Sequence, residues 1–171
     1  MQMNSMQSLF IEELRDLYSA ENQLIAALPK MAAAAKSNTL KSAFESHLQE
    51  TRTHVQRLTE IFTELGESPG GKTCKGMQGL ITEGNEAIEM QGDPDVRDAA
   101  LIGAAQRVEH YEMAGYGVAR TFAKELGFKT AAEKLQKTLD EEGSADKKLT
   151  GIAEGGLFRK GINEKAAAPS R

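Results

Sequence analysis

Apolar residues recur along this chain at alternating intervals of four and three. Phe10, Leu14, Leu17, Leu24, Leu28 and Met31 line one face of a helix expected over about residues 5 to 36. Leu40, Phe44, Leu58, Ile61 and Leu65 do the same from about 38 to 65. Leu101, Ala105, Val108, Ala119, Phe122 and Leu126 follow from about 94 to 126, then Leu135, Leu139, Leu149 and Ala153 from about 131 to 153. On a helix of 3.6 residues per turn this spacing keeps a single stripe buried. It is also the seam of helices packed at a shallow angle, so the pattern predicts an all-α four-helix bundle.

The residues that start and stop helices agree with these limits. Asp93 before Pro94 reads as an N-cap with proline at the first helical position. Thr130 with Glu133 reads as a capping box. Gly66 and Gly127 stand where left-handed C-terminal residues are expected. Pro29 lies inside the first stripe, where it should kink the helix or end it about a turn early. Short joints make the first two helices antiparallel, and likewise the last two. About 28 residues separate the second helix from the third, and they hold a short helical pattern, Met77, Leu80, Ile81 and Ile88. A joint of that length returns the chain along the bundle, which is the long-crossover topology. Residues 1–154 thus form the bundle, and 155–171, GGLFRKGINEKAAAPSR, are expected to be a loosely ordered tail.

Composition narrows the function classes. A chain of 171 residues with 40% hydrophobic content supports one domain with a core. The net charge of −4, with both signs interspersed, gives no nucleic-acid footprint. No apolar run of about 18 residues exists to span a membrane, and no signal peptide is visible. The single cysteine, Cys74, has no internal partner and reads as an unpaired thiol, which fits a cytoplasmic setting.

Each stripe breaks its apolar pattern at mid-helix with acids or histidines. Glu21 interrupts the first helix, and His47, Glu50 and His54 the second. Glu109 and Glu112 interrupt the third, Glu142 and Asp146 the fourth. At about 1.5 Å per residue the antiparallel pairs bring these groups to one level within about a turn. An unpaired buried ion costs several kcal/mol, whereas a whole domain is stable by only about 5–15 kcal/mol. No basic residue is expected inside the seams, since Arg52 and Arg57 should point outward. Metal ions are the neutralisation that uses all the acids and the histidines together.

The pattern matches carboxylate-bridged di-iron or di-manganese bundles, which take one Glu from each of two helices and a Glu–His pair from each of the others. Oxygen-rich ligation with imidazole suits iron or manganese better than zinc. The spacing departs from Glu-x-x-His: His54 is four residues after Glu50, and His47 three before it. The expected ligands are Glu21, Glu50, His54, Glu109, Glu112, Glu142 and Asp146. His47, Tyr18 and Tyr116 are expected close by, and His110 is read as peripheral or exposed.

The stretches LYSAENQL at 17–24, FESHLQET at 44–51, RDAALIGAAQRVEHYEMAGYG at 97–117 and LDEEGSADKKL at 139–149 resemble the YciF/YciE-like bacterial stress proteins of the ferritin-like superfamily. That resemblance implies a homodimer of ferritin-like bundles associated with stress responses. The pair Glu109-x-x-Glu112 is similar to the third-helix pair of rubrerythrins, which reduce peroxide at a di-iron centre; this chain lacks their CxxC electron-feeding module. Two functions follow as expectations. One is a centre of two iron ions, or manganese in their place, that reacts with O2 or peroxide. The other is a non-catalytic metal-binding or structural stress protein acting through its dimer. Storage of iron in a shell is the weakest, because the tail offers no fifth helix.

Overall fold

The computed structural model describes residues 4–156 and 159–168. Four long helices form the bundle: α1 (Met6–Ala34), α2 (Asn38–Leu65), α4 (Pro94–Glu125) and α5 (Lys129–Glu154). α3 (Lys75–Glu89) lies in the long joint between α2 and α4. None of the described helices is long and apolar enough to cross a membrane.

Local chemistry sets the helix ends. Ser5, Ser37 and Asp93 each accept a hydrogen bond from a backbone N–H of the first turn they precede, and Pro94 opens α4. At the far ends Gly66 and Gly127 adopt φ of 67° and 78°. There Glu67 N–H reaches the Phe62 carbonyl at 3.0 Å and Phe128 N–H the Ala123 carbonyl at 2.9 Å, so both turns are Schellman motifs. Pro29 lies inside α1, which runs on to Ala34, so of the two effects expected there the early end does not occur. One sequence expectation needs correction. Thr130 and Glu133 do not form a capping box: the turn at Gly127 makes Phe128 the N-cap residue, and it offers no side-chain cap.

Tertiary contacts give the directions. Asp98 near the start of α4 accepts the N–H groups of Lys36 and Ser37 at 2.9 and 2.7 Å, closing the α1–α2 joint. Tyr111, further along α4, reaches back to Asp16 at 3.0 Å, so α4 runs antiparallel to α1. Lys134 meets Glu60 and Glu64 while Arg57 meets Glu141, so α5 runs antiparallel to α2. α3 makes this arrangement possible by carrying the chain back along α1 and α4. It is pinned by Met77 and Cys74, both fully buried. The Cys74 thiol caps the start of α3 and lies 2.9 Å from the Tyr111 hydroxyl; burial raises its pKa.

Past Glu154, where the sequence predicts a loosely ordered tail, the described residues have structure. Gly155–Gly156 (β1) pairs antiparallel with Arg159–Lys160 (β2), and α6 (Ile162–Ala166) packs on α4. Ile162 is buried in the core, and its apolar contact holds the segment down.

The core is split in two. One apolar cluster, with Leu24, Leu28, Leu40, Phe44, Leu101 and Leu149, fills the end near the α1–α2 joint. The other, with Phe10, Leu14, Leu58, Ile61, Phe62 and Leu135, fills the opposite end. Full burial of each large side chain is worth about 1.5–3 kcal/mol, so each cluster is a substantial plug. The slab between them is polar.

A candidate metal centre at the bundle midplane

Six side chains from four helices meet in that slab: Glu21 of α1, His47 and His54 of α2, Glu109 and Glu112 of α4, and Glu142 of α5. Each takes its place because the 4–3 period turns that position inward, and none is more than 7% exposed. Ligand atoms of His47, Glu109, Glu112 and Glu142 all lie within 4.8 Å of one another, as do those of Glu21, His54 and Glu142. Glu142 belongs to both groups, so the slab is two adjoining ligand sets sharing one carboxylate.

The contacts are close but poorly satisfied. His54 Nδ1 is 3.2 Å from Glu21 Oε1 and 3.0 Å from Glu142 Oε1. His47 Nε2 is 3.3 Å from Glu109 Oε1 and 3.8 Å from Glu142 Oε2. Neither ring nitrogen makes a hydrogen bond there. Among the described residues ten buried side-chain atoms lack a partner, and eight are in this slab: His47 Nε2, His54 Nδ1, Glu21 Oε2, Glu109 Oε2 and both oxygens of Glu112 and of Glu142. Buried polar atoms are partnered in most of a folded protein. Eight orphans converging on one place are what a donor set looks like when the acceptor of its lone pairs is a cation. The donor set is compatible with metal binding.

Electrostatics carry the same message. Burial raises the pKa of Glu21, and it holds Glu109 and Glu112 well above the usual carboxylate range, reinforced by the neighbouring acids. Burial opposes charging of the histidines, yet the surrounding carboxylates win. Glu109 and Glu50 lead in pushing His47 up to about 9, and Glu142 and Glu21 push His54 up to about 10.

The expected ligands do not all arrive. Glu50 is half-exposed and instead bonds His47 Nδ1 from outside at 3.4 Å. Three residues advance a helix by about 300°, so Glu50 sits about 60° off the His47 direction; Thr51 takes the inward place and bonds the His47 carbonyl. Asp146 is partly exposed at the α4–α5 edge, accepting from Gln106 at 3.0 Å and lying 3.4 Å from the exposed His110. Neither Glu50 nor Asp146 is in the ligand sets, whereas His47, expected only nearby, is. Tyr116 donates to Glu21 Oε1 and is fully buried. Tyr18 packs edge-on against Phe62.

Arg57 does not point outward: it is buried between α2 and α5, bonding Thr138 Oγ1 and, at 2.8 Å, Glu141 Oε2. Glu141 in turn accepts from His54 Nε2 at 3.1 Å. Sequence reasoning missed Glu141, which stands next to Glu142. Only the pairing of α2 with α5 reveals it. A cavity of about 150 Å³ between these helices reaches His47 and Glu109 from the surface, with Ala43, Phe44 and Leu149 as apolar walls and Glu50 and Lys148 among its polar lining.

The family model DUF892, described as a domain of unknown function, matches residues 5–167. The chain belongs to the DUF892 family. This DUF892 chain is 44% identical over 165 residues to Protein YciF of Escherichia coli K12, covering 96% of itself and 99% of YciF. It superposes on the crystal structure of the E. coli stress protein YciF with a TM-score of 0.88, 42% identity and coverage of 97% and 100%. YcfI from Rhodopseudomonas palustris gives a TM-score of 0.85 at 41% identity, over 89% and 97% of the two chains. A ferritin-like, diiron-carboxylate protein from Bacillus anthracis shares the fold at a TM-score of 0.67 and 19% identity, over 86% and 97%. The DUF892 bundle is therefore ferritin-like, and its buried His/Glu cluster is compatible with metal binding.

Proposed function

We propose that the midplane slab holds two metal ions, iron in the first instance and manganese in the second, with Glu142 common to the two ligand sets, and that this centre reacts with O2 or peroxide. The observation that carries the reading is the set of eight orphaned donor atoms divided between two groups with Glu142 in common. The donors are four carboxylates and two imidazoles without thiolate, a combination suited to iron or manganese.

Bound iron would supply the electron-transfer chemistry; the chain's residues supply the setting. Tyr116 holds Glu21 by donating to Oε1. Glu112, with neither oxygen engaged, is free to change its mode of binding. The two apolar plugs keep bulk water from the slab, and the cavity at His47 admits small molecules. His47 Nδ1 keeps its proton in a hydrogen bond to Glu50, whose carboxylate is half in solvent, so the proton a cation would displace from this ring is the one on Nε2.

The test is metal analysis with an optical spectrum of protein loaded anaerobically with Fe(II). About two ions per chain are expected, with ferric absorption that appears on adding peroxide and bleaches with dithionite. Failure to bind iron or manganese would overturn the whole reading. Tight binding without any response to O2 or peroxide would overturn the redox half and leave a static metal protein.

A further inference from the structure

The two histidines of the slab face it with different nitrogens. His54 turns Nδ1 to Glu21 and Glu142 while its Nε2 is engaged by Glu141. His47 turns Nε2 to Glu109 and Glu142 while its Nδ1 is engaged by Glu50. A neutral imidazole carries one proton, and the hydrogen bond made by one nitrogen decides which nitrogen keeps its lone pair.

We propose that Glu141, clamped by Arg57, is a positioning residue that makes His54 bind metal through Nδ1, and that Glu50 does the converse for His47, which binds through Nε2. This rests on the two-metal reading above. The clamp is unequal on the two sides. Glu141 is gripped by Arg57 through Oε2 at 2.8 Å and Oε1 at 3.3 Å, with Arg57 itself buried and anchored on Thr138. Glu50 has no such anchor and stands in the cavity lining. The Glu21–His54 set is therefore the rigidly built one, and the His47 set the adaptable one beside the entrance.

The test uses the full chain loaded with Zn(II), a diamagnetic probe, with ¹⁵N-histidine labelling and long-range ¹H–¹⁵N correlation to identify the bound and protonated nitrogen of each ring. Metal on His54 Nδ1 and on His47 Nε2 is the expected result; the same nitrogen on both rings would overturn the proposal. E141L should lose the single His54 pattern and weaken one of two zinc ions by about 10–100-fold, leaving the His47 pattern intact. E141Q, which keeps an acceptor, should restore it. Should E141L fold poorly because Arg57 is left unpaired, the double variant R57M/E141L removes that charge and must show the same loss of His54 order. An unchanged His54 pattern in either variant refutes the role of Glu141. No uptake of zinc, iron or manganese by the parent protein would refute the two-metal reading itself, and with it this inference.

Discussion

Replacing Glu112 by methionine should stabilise the metal-free protein and weaken the metal-loaded one. Glu112 is fully buried, and neither carboxylate oxygen has a partner. Burial, and then the charges of Glu21, Glu142 and Glu109, raise its pKa well above the usual value, so the metal-free fold carries it at a cost. A buried unsatisfied polar group costs about 1–3 kcal/mol. Methionine has similar length, no need of a partner and the flexibility to fit, so packing losses should stay below about 1.5 kcal/mol. A net gain of about 1–2 kcal/mol in a domain of this size raises Tm by roughly 2–8 °C.

In the presence of metal the sign reverses. An ion held at about a hundred times its Kd stabilises the fold by about 2.7 kcal/mol, and Glu112→Met removes one of the four members of the His47 set. Thermal unfolding followed by circular dichroism, in chelator and then with excess Fe(II) or Mn(II) under argon, reads both effects in one protein. The variant should melt higher than the parent in chelator and gain less from metal. A lower Tm in chelator would refute the claim that the acids are a burden to the bare fold. A full metal-induced rise would remove Glu112 from the centre.

Three further outcomes follow. The metal-free protein should lose stability as pH rises. His47 and His54 have folded pKa values of about 9 and about 10, against an ordinary 6.5, so the stability they contribute is complete below 6.5 and disappears as pH passes through 9 to 10. Glu21, Glu109 and Glu112 are also raised, so loss begins just above the ordinary 4.5, whereas metal affinity, which needs these protons gone, should climb over the same range. A Tm in chelator that rises from pH 5 to 9 would contradict this. Asp98→Ala strips both N–H groups of the α1–α2 joint of their acceptor, and should cost about 1–3 kcal/mol in urea unfolding with metal stoichiometry unchanged. Gly76→Ala would put a Cβ 2.6 Å from the Tyr111 ring, so the α3–α4 contact must open; about 1–3 kcal/mol should be lost, with local hydrogen exchange faster in α3.

The period of a helix says which positions face inward, and that made Glu21, Glu112 and Glu142 visible as interruptions of an apolar stripe. It does not say how far each helix is rotated about its axis. Residues three apart differ by about 60° in direction, an arc that admits both Glu109 and Glu112 on α4 but on α2 turns His47 inward and leaves Glu50 half-exposed. Packing there places Glu109 opposite His47 and leaves Glu50 in the cavity lining. The same limit hid Arg57 and Glu141: each looks like a surface charge on its own helix, and only the α2–α5 contact turns the two into a clamp on His54. The capping box at Thr130 failed for a more local reason, since the Schellman turn at Gly127 began α5 two residues too early for Thr130 to stand outside it. What could be read from one helix at a time was the existence of a polar layer. What could not was which atom of each residue faces it, and that is the property on which the chemistry of the two histidines turns.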